Sequence, residues 1–142
     1  MILARFKSLH GSLRRGGRMK PKFRAWLKEE KRMTDVNEMT FIDGEVYLIS
    51  DVTDFYAYEE FKLMQSTGLR DKNGKEIFEG DIVKFTITNG FDYVVDEYGV
   101  VNYKQGAFFI VKDFAEYLVS YVYTDEIEVI CNIYENNELL EG

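Results

Sequence analysis

The sequence predicts a mainly β fold with minor α content, built from short strands that are joined by tight turns. Apolar and polar residues alternate over short runs such as residues 82–88, which is the period of a half-buried strand. Asp43-Gly44 and Asn89-Gly90 stand between such runs, and these pairs favour the hairpin turns that need positive φ. No long stretch has the period of a helix.

The strand-like runs recur at intervals of about 8–12 residues, as in small barrels or strongly bent sheets. Strands are predicted over residues 22–27, 39–42, 45–49, 60–66, 82–88, 91–95, 100–103, 107–112, 117–123 and 127–134. Turns are predicted at 28–32, 71–74 and 79–81, a loop at 51–58, and helical turns at 113–116 and 136–140.

The composition indicates a folded chain. Hydrophobic residues make up 46% of the 142 residues and aromatic residues 15%, which is ample for a packed core. Cys131 is the single cysteine, so no internal disulfide can form, and this fits a reducing cytoplasm. No run approaches the roughly 20 apolar residues of a membrane-spanning helix, and we predict no membrane partner.

The charge is segregated along the chain. Residues 1–33 carry a net charge of +9 and residues 34–142 carry −16, which together give −7. The acidic part disfavours non-specific binding to nucleic acid or anionic lipid. It favours a basic protein partner or head-to-tail self-association, and the alternative is a solvated surface that keeps the protein soluble.

Residues 1–18 are basic and lack the apolar core of a signal peptide. One interpretation is a short amphipathic arm that contacts nucleic acid or a membrane surface. Another is an over-extended gene start, because Arg and Gly at positions 14–18 match the purine-rich codons of a ribosome-binding site ahead of Met19. We favour the second, with residues 1–18 disordered or not natural. The only histidine, His10, lies here and carries no catalytic weight.

The remaining residues lack the groups of common catalytic and metal sites. Nucleophilic catalysis needs a base, and no histidine stands beyond position 10. One cysteine excludes the usual zinc sites. Residues 71–76 resemble a calcium loop only superficially, since Lys75 and Glu76 occupy its fifth and sixth positions. We therefore predict no catalytic residue, no cofactor, no metal site and no enzyme activity. We interpret Cys131 as a buried structural thiol.

Paired carboxylates and exposed aromatics are the remaining candidates. The acidic pairs stand at positions 51/54, 59/60, 96/97 and 125/126, where solvated loops are favoured over an acid–base cleft. Tyrosines on strands and loops are typical of protein-contact surfaces. In the first strand, basic and aromatic residues alternate against Phe23, Ala25 and Leu27, and such a face can bind nucleic acid. The candidate interaction surface is Lys22, Arg24, Trp26, Tyr56, Tyr58, Tyr121 and Tyr123.

Three blocks carry a resemblance to a known family. They are KFRAW at 22–26, LMQSTGLRDKNGKEIFEGDIVKF at 63–85 and EVICNIYENNELLE at 128–141. In order and spacing they resemble the YopX family over residues 20–142. Members more often have an acidic residue at the position of Leu27, Gly at Cys131 and Pro at Asn137. The glycines of the middle block indicate tight backbone geometry, so we interpret that block as scaffold.

The resemblance implies a phage or prophage source, a bacterial host cytoplasm, a C-terminal half similar to SH3-like barrels and no established enzyme activity. We predict a leader at 1–18, an N-terminal β-hairpin subdomain at 19–66 and the SH3-like barrel at 67–142. The expected function is that of a phage accessory protein acting as a non-catalytic protein-interaction module. Its partner would be a host or phage protein, or a second copy in a homo-oligomer.

Two other functions stay open. One is a nucleic-acid-binding barrel that uses the basic first strand, although nucleic acid is the less favoured partner given the acidic remainder. The other is an acidic mimic of DNA that occupies the basic site of a host protein and inhibits it, which the segregated charge motivates.

We expect the natively expressed protein to begin at Met19, because the residues ahead of it match a translated ribosome-binding site. Intact-mass spectrometry of the protein from its natural source measures the mature N terminus. A mass that includes residues 1–18 would contradict this start.

Overall fold

The structure is a computed structural model that describes the main chain of residues 3–7 and all of residues 22–88 and 90–135. The chain forms two compact units, an N-terminal unit, Met1–Gln65, and a C-terminal unit, Ser66–Gly142. Within the described ranges all helical structure is in three-residue 3-10 turns, so the predicted mainly β class is confirmed. No helix in these ranges is long and apolar enough to cross a membrane.

Thirteen strands and three 3-10 turns make up the described elements. The strands are β1 (Leu3–Lys7), β2 (Phe23–Leu27), β3 (Arg32–Asp35), β4 (Glu38–Ile42), β5 (Glu45–Ser50), β6 (Phe55–Ala57), β7 (Phe61–Arg70), β8 (Glu76–Phe78), β9 (Asp81–Thr88), β10 (Tyr93–Lys104), β11 (Ala107–Lys112), β12 (Ala115–Leu118) and β13 (Ile127–Asn132). The 3-10 turns are Tyr58–Glu60, Val119–Tyr121 and Thr124–Glu126.

The N-terminal unit contains two antiparallel groups of strands. One has the order β1–β4–β5–β6, and in the other β2 lies between β3 and β7. The predicted hairpin joins β4 to β5, with φ of 52° at Asp43 and 86° at Gly44, as a tight hairpin turn requires. The core buries side chains from both groups, among them Leu27, Met39 and Ile49.

The C-terminal unit is built around a five-stranded antiparallel sheet. Its order is β12–β11–β10–β9–β13, so β9 to β12 form a meander and β13 returns to pair with β9. The sheet curls into a half barrel, which is compatible with the predicted SH3-like barrel. Its core contains Val83, Phe85, Val101, Ile110 and Ile127, whose burial follows from strand alternation toward the concave face.

One long strand replaces two predicted ones. Residues 91–95 and 100–103 were predicted as separate strands, but β10 is continuous, with a register shift between Val94 and Glu97 and φ of 51° at Asp96. A Cβ added to Gly99 would lie 2.6 Å from Cγ2 of Ile110 and 3.0 Å from the carbonyl oxygen of Val111. Gly99 therefore permits close packing inside the strand and does not end it.

Several other local predictions are corrected. Arg32 begins β3 and is not part of a turn, and the predicted loop at 51–58 contains β6. The predicted helical turn at 113–116 is a tight turn followed by β12, with φ of 54° at Asp113. β12 ends at Leu118, where a 3-10 turn replaces the predicted strand, and β8 was not predicted. These segments are too short for periodicity to show their conformation.

Predictions were made for the conformation of both ends of the chain. Leu3–Lys7 form β1 and pair with β4, so these five residues are extended, whereas disorder was predicted for residues 1–18 if they are natural. The start at Met19 stays a prediction. The helical turn predicted at 136–140 lies outside the described residues.

We expect Gly99→Ala to lower the free energy of unfolding by about 1–3 kcal/mol, because the added methyl group overpacks β10 against Ile110. Urea denaturation of both proteins measures the difference. Gly44→Asn is the control: it places at an open position a residue that tolerates positive φ, and it should change stability by less than about 1 kcal/mol. Equal stability of Gly99→Ala and the parent chain would contradict this packing argument.

Candidate interaction surface

The predicted basic face of the first strand is only partly on the surface. Lys22 and Trp26 are half-buried, and Arg24 is only 9% exposed. β2 is an interior strand between β3 and β7, so its outward side chains have strands on both sides. Alternation correctly predicted the burial of Ala25, but the exposed position predicted for Arg24 is wrong.

The two predicted tyrosines of the N-terminal unit lie in different environments. Tyr56 packs in the core and is buried, so it does not belong to the surface as predicted. Tyr58 is 52% exposed, its ring centroid lies 5.4 Å from that of Tyr47, and its hydroxyl donates to Oε1 of Glu59 at 3.0 Å. Of the two predicted surface tyrosines, Tyr56 and Tyr58, only Tyr58 is accessible to a partner.

Tyr121 and Tyr123 are the most accessible members of the predicted surface, at 75% and 77% exposed. Val119 and Val122 on either side of Tyr121 are buried in the core of the C-terminal unit. The amide of Val122 donates to the carbonyl oxygen of Val119 at 3.1 Å, which closes the 3-10 turn. The two valines therefore fix the local backbone so that the tyrosine rings extend into solvent.

A groove lies beside Tyr121 in the C-terminal unit, with a volume of about 240 Å³. Its apolar walls are Ile87, Phe109, Tyr117, Leu118, Tyr121 and Val122. Asp92 and Glu116 also line it, and Glu116 accepts a hydrogen bond from Nζ of Lys104 at 2.9 Å. All six apolar residues lie in predicted strands, although Tyr121 and Val122 follow the end of β12, and the sequence showed no groove. Alternation alone does not distinguish the wall of a groove from a closed core.

Asp51 is the centre of a polar network in the N-terminal unit. Its Oδ1 accepts hydrogen bonds from the amides of Thr53 and Asp54, both at 2.8 Å, and from the Thr53 hydroxyl at 2.7 Å. Its Oδ2 accepts from the Thr34 hydroxyl at 2.8 Å and from Nη2 of Arg32 at 3.3 Å. Burial alone would raise the pKa of Asp51, but these donors outweigh it and hold the pKa far below its usual range.

Asp71 has a comparable role in the C-terminal unit. Its Oδ1 accepts from the amides of Asn73 at 2.9 Å and Lys75 at 2.8 Å, and its Oδ2 accepts from the amide of Val129 at 2.8 Å. Burial would raise the pKa of Asp71, but the three amide donors lower it overall. One carboxylate thus holds the 71–75 turn and binds it to β13.

Hydrogen bonds also fix the tight turn at Gly80, and two of them join main-chain groups. Its amide donates to the carbonyl oxygen of Val101 at 2.7 Å, and its own carbonyl accepts from the amide of Ile133 at 3.0 Å. The buried Oδ2 of Asp81 accepts from the amide of Phe78 at 2.8 Å. These contacts explain why turn residues dominate the middle block, and they support its interpretation as scaffold.

Comparison with known proteins identifies the family. The model of the YopX protein family matches residues 22–141. The chain belongs to the YopX family. Among solved structures it is similar to the crystal structure of protein EF1440 from Enterococcus faecalis, with 32% sequence identity and a TM-score of 0.64. That match covers 87% of this chain and 99% of the other. No protein with a curated description matches the chain.

Two departures from the YopX pattern have a structural explanation. Cys131, where the resemblance implies Gly in most members, is half-buried and not buried as predicted; it lies beside a register shift in β13 and is not one of the residues with positive φ. Burial, followed by the charges of Glu135 and Asp81, raises the pKa of its thiol. Leu27, where members more often have an acidic residue, is buried in the core of the N-terminal unit.

We expect Asp51→Ala to lower the free energy of unfolding by about 1–3 kcal/mol at pH 7, because the part-buried amide and hydroxyl donors lose a charged acceptor. A carboxyl whose pKa is lowered by folding stabilises above its unfolded pKa and loses that effect as the pH falls. The difference between the parent and the variant should therefore shrink below about pH 3.9.

Urea denaturation at several pH values measures this difference. Asp35→Ala, at an exposed aspartate that ends β3, is the control and should change stability by less than about 0.5 kcal/mol at any pH. A difference for Asp51→Ala that is constant with pH would contradict the assignment of an ionised, hydrogen-bonded carboxylate.

Proposed function

We propose that this YopX-family chain is a non-catalytic protein-interaction module of a phage or prophage, acting in the bacterial cytoplasm. The observation that carries the proposal is the groove beside Tyr121, together with the 3-10 turn that holds this tyrosine 75% exposed. Aromatic side chains on a fixed backbone lose little conformational entropy on binding, so they suit a contact surface.

Other exposed aromatics of the C-terminal unit support the proposal. Phe91 and Tyr93 flank Asp92 of the groove, Tyr123 follows Tyr121 by two residues, and Phe114 is fully exposed in the turn before β12. Aromatic side chains are enriched at protein-contact surfaces relative to the rest of the protein surface. We expect the partner to be a host or phage protein, or a second copy of the chain.

The environment of Asp51 and Asp71 supports a structural role for these two carboxylates over a catalytic one. The pKa values of Asp51 and Asp71 are lowered, and each carboxylate accepts hydrogen bonds from amide or hydroxyl donors of its own unit. A general acid or base needs a pKa near the working pH. The pKa of an ordinary carboxyl already lies below neutral pH, and these environments lower it further.

The charge of the C-terminal unit favours a basic protein over nucleic acid. Residues 66–142 contain six Lys/Arg and fifteen Asp/Glu, a net charge of −9. Such a surface repels phosphate and attracts basic groups. The same charge also fits the DNA-mimic alternative, in which the basic partner is a nucleic-acid-binding host protein. The nucleic-acid alternative depended on Lys22, Arg24 and Trp26, and the burial of Arg24 weakens it.

The full chain as bait in a bacterial lysate, with and without nuclease and at low and moderate salt, tests the proposal. We expect a protein to remain bound after nuclease treatment, and its recovery to fall about tenfold or more for the double variant Tyr121→Ser, Tyr123→Ser. Phe55→Ser, at an exposed aromatic residue of the N-terminal unit, is the matched control and should leave recovery unchanged.

Each alternative gives a different result. Recovery of nucleic acid alone, lost at moderate salt and with Lys22→Ala, would favour the nucleic-acid function. Release of the bound protein by duplex DNA would favour the DNA mimic. A bait that retains no protein and does not self-associate in sedimentation would contradict the interaction module.

A further inference from the structure

We infer that the groove beside Tyr121 takes an extended peptide segment of a protein partner, with an apolar side chain next to a Lys or Arg. The inference deepens the interaction module proposed above and rests on it. The size of the groove, the position of β12 at the end of its sheet and the charge of the lining each restrict what the occupant can be.

The size of the groove fits side chains of a peptide better than a cofactor. Its volume is about 240 Å³, below the roughly 300–1,000 Å³ of small-molecule sites. The walls are aliphatic and aromatic, with Phe109 and Leu118 opposite each other in the β11–β12 pairing. Burying one or two apolar side chains of a partner against these walls makes the free energy of binding more favourable.

An edge strand beside the groove favours an extended occupant. β12 is an end strand of the sheet, and Glu116, Tyr117 and Leu118 of its four residues line the groove. Among the residues that the structure describes, no strand pairs with its outer side. An extended peptide can add to such an edge by main-chain hydrogen bonds while its side chains enter neighbouring pockets.

The opposite edge of the same sheet is covered. The amide of Lys72 donates to the carbonyl oxygen of Ile127 at 2.9 Å, and the amide of Val129 donates to Asp71. The 71–75 turn therefore occupies main-chain groups of β13 that an added strand would need. Edge strands that stay open promote pairing with other chains, and here the open edge coincides with the apolar groove.

The negative charge of the groove lining favours an occupant that carries a Lys or Arg. The ionisable carboxyls of the lining are Asp92 and Glu116, within a unit of net charge −9. The Lys104–Glu116 pair at 2.9 Å is exposed, so a Lys or Arg of the partner can share this carboxylate at little cost. Tyr121 adds an accessible ring face on which a guanidinium group can stack.

A library of short peptides of unrestricted sequence, selected on the full chain, tests the inference. We expect selected peptides to carry Lys or Arg close to an apolar residue. Fluorescence anisotropy then measures the affinity of one labelled peptide. Tyr121→Ser should weaken binding about tenfold or more, since it removes an aromatic anchor. Asp92→Asn should weaken it less and reduce the dependence on salt.

Controls separate binding from folding. Tyr121 is largely exposed, so Tyr121→Ser should keep the circular dichroism spectrum and the urea midpoint of the parent. Phe55→Ser should bind the peptide as the parent does. Selection of acidic or wholly polar peptides, unchanged affinity of Tyr121→Ser, or competition for the groove by a single-stranded oligonucleotide would each overturn the inference.

The lysate experiment distinguishes this inference from the function on which it rests. If the parent and Tyr121→Ser retain the same protein equally, the peptide groove is wrong and the interaction module stands. If no protein is retained and no peptide is selected, both are wrong. A dimer that forms through Tyr121 while no peptide is selected would overturn the peptide inference in favour of self-association.

Discussion

The carboxylate of Asp71 joins two parts of the C-terminal unit that are far apart in the sequence. It accepts amides from the 71–75 turn and the amide of Val129 in β13, and no neutral side chain could accept all three as strongly. This attachment sets the position of β13 on the edge of β9. The 3-10 turn of Tyr121 lies between β12 and β13, so the segment that contains it must connect β12 to a strand held at that position.

Turn chemistry made much of this fold predictable. Asp43-Gly44 specifies a hairpin through local steric preference, and the glycines and aspartates of residues 71–81 specify turns that the structure contains. Strand alternation located most of the longer strands of both units. These signals are local, because they depend on a few neighbouring φ angles and on which face of a strand is apolar. Family resemblance added the barrel of the C-terminal half, which local rules alone left open between a barrel and a bent sheet.

Features that depend on distant contacts were not predictable. Residues 96–99 were left between two predicted strands, but Gly99 lies inside β10, where Ile110 of β11 approaches its backbone. The burial of Arg24 follows from two flanking strands that the alternation of β2 does not show. The exposure of Tyr121 was correctly anticipated from its type, but the groove beside it was not. Residues that line a groove and residues that form a core show the same alternation of apolar and polar residues along the sequence. Only the three-dimensional structure distinguishes the two.

The pairing of β13 with β9 also constrains the order of folding during synthesis. β9 to β12 emerge from the ribosome as a meander whose pairings are local, and they can form while translation continues. The outer edge of β9 stays unpaired until Ile127–Asn132 have left the exit tunnel. During that interval the nascent chain exposes the apolar side of an incomplete barrel, so β13, the last strand among the described residues, limits how long the chain needs protection from aggregation.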